Sequence, residues 1–232
     1  MSKLVFTTKG KEHVIKKNVI HNLKSSASYR IGNTQIICGI STEIVQMIQD
    51  GKEPQYIEVE IKRSGLNEDK SPMIESIPMW IEEVLNDKDL FENREKLLVS
   101  TEDKETSFYQ KIHLVNYIID DDGSVFDVAI LASIKALLTL ELQEMKIGLD
   151  GLCSYDETKK YQLHFNYHPI PFSFFMENGT KTTAHLSFIL TETEINHIHI
   201  HGGESVISPE LLLGCTSRCR TIFDAYVKRL IE

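Results

Sequence analysis

Asp120-Asp121-Asp122-Gly123-Ser124-Val125-Phe126-Asp127 lies between a run with strand character, Ile112-His113-Leu114-Val115-Asn116-Tyr117-Ile118-Ile119, and an apolar stretch from Val128 to Leu142 that reads as a helix. A strand that turns at Asp-Gly into a buried helix is a place where sites are often built, because the free N–H groups and positive dipole end of the helix favour an anion. The residues after Gly123 decide between that use and plain structure. Ser124 with Asp127 three residues on has the Ser-x-x-Asp spacing of a capping box. No Arg, Lys or second Gly stands in the first turn, and Asp127 puts negative charge where a phosphate would sit. The stretch predicts a capped core helix.

Working outward, residues Leu4 to Ile48 read as short strands with polar turns. The clearest is a hairpin in which Ala27-Ser28-Tyr29-Arg30-Ile31 turns at Gly32-Asn33 into Thr34-Gln35-Ile36-Ile37-Cys38-Gly39-Ile40. Tyr56 to Ile61 alternates apolar and acidic and runs into a basic turn, Lys62-Arg63-Ser64-Gly65. Ser71 and Pro72 form an N-cap and first-turn pair for a helix whose apolar stripe is Met73, Ile77, Trp80, Ile81, Val84 and Leu85, with Pro78 expected to kink or split it. Leu97-Leu98-Val99 is a short strand candidate inside a polar stretch, and Tyr161 to Tyr167, Phe172 to Phe175 and Ile195 to His201 read as further strands. Ser208-Pro209-Glu210 opens a last helix that turns Leu212, Cys215, Cys219, Ile222, Phe223, Tyr226 and Leu230 to the core. Strands, helix, strands, helix in two similar passes give an α+β chain, an α/β sandwich.

Composition narrows the function. A formal charge of −9 over 232 residues argues against a free-standing, sequence-indifferent nucleic-acid binder, which needs a basic field. Four scattered cysteines do not make a disulfide framework, so an intracellular setting is expected. The N-terminus lacks a signal-peptide core, and no apolar run approaches the roughly 20 residues that span a bilayer, so no membrane partner is expected.

Three motifs in order resemble RNase PH-like proteins. The hairpin from Ala27 to Ile40, continuing through Ser41-Thr42-Glu43-Ile44, is similar to that superfamily's N-terminal strand pair. Asp122-Gly123-Ser124-Val125-Phe126-Asp127-Val128-Ala129 resembles its Asp-Gly-Asn-Leu-x-Asp-Ala pattern. His168-Pro169-Ile170-Pro171-Phe172-Ser173 resembles the strand opening its second half, and Gly202-Gly203 with the closing helix its C-terminus. The motif choices, including Lys62-Arg63-Ser64-Gly65-Leu66, are most similar to the non-catalytic ring subunits of the eukaryotic RNA exosome. The resemblance implies an RNase PH-like fold with ribosomal-protein-type βαβ units in two β-rich halves, 1–150 and 151–232, forming one globular unit.

What it implies for function is a scaffold without catalytic residues, cofactor or metal. Such a subunit joins other RNase PH-like subunits in a hexameric ring, topped by cap RNA-binding subunits. RNA threads through the ring to an exosome-associated nuclease, in the nucleus and nucleolus and also the cytoplasm. Phosphorolytic members carry Asp-Gly-Gly-Thr-Arg at the helix start, whose Thr and Arg hold orthophosphate; here that turn is Ser124-Val125-Phe126. They also carry an acidic pair before the last strands, whereas this chain has no Asp between Asp156 and Asp224 and offers only Thr191-Glu192-Thr193-Glu194. The Arg-Pro-Asp-Gly-Arg segment common near the N-terminus of relatives is also missing. The alternative is an active phosphate-dependent 3′–5′ exoribonuclease.

Lys62 and Arg63, at a strand end, are the candidate RNA contacts, against a plain solvent-facing turn. Asp120, Asp121 and Asp122 could hold a hard cation, though a solvated acidic turn explains them as well. His197, His199 and His201 share one face of a strand, and Cys215 and Cys219 lie one helical turn apart, so soft and borderline metal ligands are present. A half-exposed strand and a core helix stripe account for the same spacings, and no metal site is assigned.

Overall fold

The computed structural model describes residues 3–8, 10–48, 53–63, 72–101, 107–178, 181–202 and 207–232. In chain order the elements are β1 (Lys3–Phe6), β2 (His13–Lys17), β3 (Ser25–Ile31), β4 (Thr34–Gln46), β5 (Ile57–Arg63), α1 (Pro72–Leu85), a 3-10 turn (Arg94–Leu97) and β6 (Leu98–Thr101). They continue with β7 (Phe108–Asp120), α2 (Val125–Leu138), β8 (Leu142–Ile147), β9 (Cys153–Tyr161), β10 (Ile170–Asn178), β11 (Lys181–Leu190), β12 (Ile195–His201) and α3 (Pro209–Ile231).

Two sheets result. The larger runs β2-β3-β4-β7-β6-β8-β9, and β5 joins it alongside β7. The β3–β4 hairpin turns where expected, with Gly32 at φ +61° in the first turn position, a backbone region open to glycine. β5 lies parallel to β7, so β5, α1 and β7 form a βαβ unit with α1 as the crossover. The smaller sheet runs β1-β10-β11-β12, all antiparallel.

Sheet membership departs from a division at residue 150 at both ends. β1, from the extreme N-terminus, pairs with β10 in the smaller sheet, and β9, beyond residue 150, pairs with β8 in the larger one. A single apolar cluster joins residues of both sheets, among them Ile36, Cys38 and Ile40 with Phe172, Phe174 and Phe188.

Helix α2 contacts β3, β4 and β7 of the larger sheet, β10 of the smaller sheet, and both other helices. Val125 through Leu137 are all buried, as an all-round apolar helix should be. Its polar members have partners: Asn116 Nδ2 donates to Ser133 Oγ at 3.0 Å, and Lys135 Nζ donates to the carbonyl of Leu230 at the C-terminal end of α3. Burial lowers the Lys135 ammonium to about 8.

Several expected boundaries move. α2 begins three residues before Val128 and stops at Leu138, because Leu142 already belongs to β8. Pro78 lies inside an uninterrupted α1: Ile77, Ile81, Val84 and Leu85 are buried, and packing of that stripe outweighs the roughly 3 kcal/mol a proline costs in a helix interior. Tyr161 to Tyr167 is not a strand beyond Tyr161. It is held instead by Asn93, whose Nδ2 donates to the Gln162 carbonyl at 2.8 Å and whose Oδ1 accepts from His164 N at 2.9 Å. Ser208 caps α3 as expected, its hydroxyl accepting from Leu211 N at 3.3 Å. The expected cap Ser71, the turn residues Ser64, Gly65 and Leu66, and Gly203 lie outside the described residues. No helix among the described residues is long and apolar enough to cross a membrane.

Candidate functional site

The turn from β7 into α2 is where an anion would bind, and the protein's own groups already fill much of its surroundings. Gly123 has φ +87°, and the ring of Phe175 packs over it, 3.5 Å from where a Cβ would stand. The turn is tied to itself and to the first hairpin: Gly123 N donates to Asp121 Oδ1 at 2.9 Å, and Asp122 N donates to Thr34 Oγ1 at 2.8 Å. Two cations do converge here. Each is matched by an aspartate, Lys11 Nζ with Asp122 Oδ2 at 3.6 Å and Arg63 Nη2 with Asp121 Oδ2 at 3.3 Å.

Lys62 and Arg63 occupy the exposed end of β5, opposite Tyr117 and Ile118 of β7. Lys62 Nζ lies 3.0 Å from Glu60 Oε2, which holds its ammonium above the usual range. The two candidate RNA contacts are thus solvent-facing, adjacent, and each paired with a carboxylate of this chain.

Below the turn, the expected capping box is absent. Ser124 is the N-cap residue, but its side chain makes no cap hydrogen bond and its buried Oγ has no hydrogen-bond partner. Asp127 points the other way, to β10 of the smaller sheet and to the residue that follows β1. Its Oδ1 accepts from Ser173 Oγ at 2.6 Å and its Oδ2 from Thr7 Oγ1 at 3.2 Å. Because the Ser173 proton is used on Asp127, the 2.8 Å contact between Ser173 Oγ and Ser187 Oγ is donated by Ser187. Asp127 is wholly buried, and burial raises its carboxyl from 3.8 to about 6 against the opposing pull of the Ser173 and Thr7 hydroxyls.

The Thr191-Glu192-Thr193-Glu194 segment is a structural turn. Thr191 N donates to the Glu194 carbonyl at 3.0 Å, and Arg220 of α3 donates to the carbonyls of Thr191, Glu192 and Glu194. The Glu192 carboxylate lies 2.8 Å from His168 Nδ1 and accepts from His168 N at 3.2 Å. No pair of carboxylates is presented to the Gly123 turn from here among the described residues.

β12 is the half-exposed strand that its period of two implies, with the isoleucines on the open face. Ile195, Ile198 and Ile200 are 40–48% exposed, whereas His197 and His199 are half-buried. Cys215 and Cys219 lie buried on the core stripe of α3, where burial pushes both thiols up. Thr7, Ser173, Ser187 and Phe175 matter at this site and were not singled out from sequence. The only local signal was the small polar Ser173 and Ser187 placed among aromatic and aliphatic neighbours.

Residues 9–143, more than half of the chain, match the family described as "3′ exoribonuclease family, domain 1", RNase PH. An exosome complex component Rrp42 from Methanothermobacter thermautotrophicus is 29% identical over 160 residues, covering 66% of this chain and 56% of that protein, so the match spans little more than half of that relative. An exosome complex component rrp43 from Schizosaccharomyces pombe is 25% identical over 231 residues, covering 92% of this chain and 84% of that protein. Among solved structures, a chain of an archaeal exosome core superposes with a TM-score of 0.69 at 15% identity, covering 95% of this chain and 88% of that one, a likeness of fold.

Two outcomes are expected of this turn. Asp127 has a folded-state value near 6, above its ordinary 3.8, so its contribution to stability is full below about pH 4 and is lost as pH rises through 6. Asp127→Asn removes that dependence, and denaturant titrations should show the variant gaining about 3 kcal/mol on the native protein between pH 4 and pH 7. A difference that stays flat with pH would show the carboxyl to be solvated. Ser124→Ala should change stability by no more than about 0.5 kcal/mol, because the hydroxyl caps nothing; a loss of about 1 kcal/mol or more would restore the capping role.

Proposed function

Because the chain belongs to the 3′ exoribonuclease family of RNase PH proteins, we propose that it is a non-catalytic subunit of an exosome core ring, supporting 3′–5′ RNA processing and degradation through its interfaces and its share of the RNA path. The observation that carries this reading is the filled N-terminus of α2, with Phe175 over Gly123, Asp127 buried beneath, and both converging cations already paired. Phosphorolysis needs a bound phosphate nucleophile and a group that protonates the departing ribose oxygen. The turn offers neither a vacant cation nor a paired acid among the described residues.

A subunit without chemistry is kept for what it touches. β12 is the edge strand of the smaller sheet and presents Ile195, Ile198 and Ile200 outward, an apolar face that a homologous neighbour in the ring would cover. The partners on this reading are other RNase PH-like subunits in a hexameric ring, cap RNA-binding subunits, and an exosome-associated nuclease that receives the threaded RNA. Its place in the cell would be the nucleus and nucleolus, with a cytoplasmic pool. Lys62 and Arg63 supply RNA phosphate contacts only where other subunits add positive charge, since the chain itself is acidic.

The test is enzymatic and compositional together. Purified protein given labelled single-stranded RNA and phosphate should release no nucleoside diphosphate, and affinity purification from the source cells should recover RNase PH-like and oligonucleotide-binding-fold chains in stoichiometric amounts. Phosphate-dependent turnover that is lost on mutating Asp122 or Asp127 would establish the enzyme instead. In the assembled complex, charge reversal of Lys62 and Arg63 together should weaken RNA binding about 2- to 10-fold in filter-binding titrations and flatten its salt dependence, leaving the ring intact by size-exclusion chromatography. Unchanged binding would remove these two residues from the RNA path.

A further inference from the structure

The less exposed face of β12 brings two imidazoles against helix α1. His197 and His199 are two residues apart on one strand and so project to the same side. Glu83, on the last turn of α1, meets them there. One ligand atom from each of the three residues falls within 4.8 Å of the others, and His197 Nδ1 stands 3.6 Å from Glu83 Oε1. We infer that Glu83, His197 and His199 form a binding site for a borderline divalent transition ion, zinc being the ion expected, which clips α1 to the edge strand β12. The inference stands apart from the ring-subunit reading and does not depend on it.

Spacing supports it. Ligand atoms about 2.1 Å from a tetrahedral ion lie about 3.4 Å apart, so Glu83 and His197, at 3.6 Å, already stand near coordination distance and His199, within 4.8 Å of both, lies close enough to complete the set. The rings are held in place before any ion arrives. His199 stacks on Trp80 at 4.7 Å and 17°, takes the edge of Phe126 at 5.8 Å, and lies parallel to His197 at 6.0 Å and 4°. Preorganisation of this kind reduces the ordering that binding must impose.

Chemistry supports it too. His199 Nε2 is buried and makes no hydrogen bond, a polar atom in want of a partner that coordination, or a water held by the ion, would supply. Glu83 is exposed, so an ion can enter from solvent, and two imidazoles with one carboxylate favour a borderline ion over magnesium or calcium. Three protein ligands leave one position facing outward, for water or for a side chain of a neighbouring molecule. His201 shares the face but stands opposite His185 of β11, one strand pair further along, and Cys215 and Cys219 belong to the core.

The test uses the full chain stripped with a chelator. Zinc sulfate is titrated by calorimetry, and cobalt(II) by visible absorbance and by emission of Trp80, which is the chain's sole tryptophan and lies on His199. One equivalent of each ion should bind, cobalt should quench Trp80, and zinc should raise the melting temperature. Glu83→Gln and His197→Gln should each weaken zinc binding by more than the roughly 10- to 100-fold that a supporting neighbour is worth, and should abolish the quenching. His164→Gln and Cys153→Ser, exposed residues on other segments, should leave both unchanged. Glu83 is exposed, so its variant keeps the fold and decides the matter alone if His197→Gln unfolds. No stoichiometric binding, or binding that survives Glu83→Gln at full strength, would overturn the site.

Discussion

Everything in this molecule is arranged around one constraint: helix α2 has protein on every side. A helix apolar all round cannot lie on a sheet with its back to water, so a second sheet must cover it. The covering sheet draws one strand, β1, from the far N-terminus and three from the second part of the chain, so it is built from both. Polar atoms taken into that layer need partners in the layer. Asn116 with Ser133 and Lys135 with the end of α3 meet this need, and Asp127 meets it on the side of the smaller sheet, with Ser173 and Thr7.

The same constraint bears on function. The N-terminus of a buried helix is an attractive anion site when glycine and cations surround it. Here the first turn carries Val125 and Phe126 into the core, Phe175 covers Gly123, and Asp127 occupies the space beneath with a carboxyl that the protein interior pushes toward neutrality. Lys11 and Arg63 approach, but Asp122 and Asp121 already balance them. The acidic turn that gave the sequence its most conspicuous feature thus serves as counter-charge for the turn itself.

How much of this was legible follows from the range of the forces. The Gly32-Asn33 hairpin, the run into Asp120, and the capped start of α3 depend on neighbours a few residues away, and period and turn chemistry reveal them. Pro78 looked like a break because the local cost of proline is plain while the packing of Ile77, Ile81 and Val84 is not. Ser124 and Asp127 looked like reciprocal caps because their spacing fits; the actual partners of Asp127 are 46 and 120 residues distant, where spacing carries no information. Strands β8, β9 and β11 were missed for related reasons. β9 is polar and exposed along much of its length, and β11 opens on the polar Lys181-Thr182-Thr183, its short alternation from Ala184 to Phe188 carrying His185 and Ser187, which are buried although polar.

β12 shows where pattern ends and burial begins. A period of two gives two faces and leaves open which one turns inward. In this chain the imidazoles go in, because Trp80 and Phe126 offer flat aromatic surface to His199, and the isoleucines go out. For a chain alone in water that is an uneconomical choice: it leaves apolar side chains wet and a ring nitrogen dry. On the two proposals made above, an ion would complete the histidine side and the apolar surface of a neighbouring subunit the isoleucine side. An edge strand with wet isoleucines, a dry imidazole nitrogen and one unpaired backbone edge is therefore where the packing of this chain by itself is least complete.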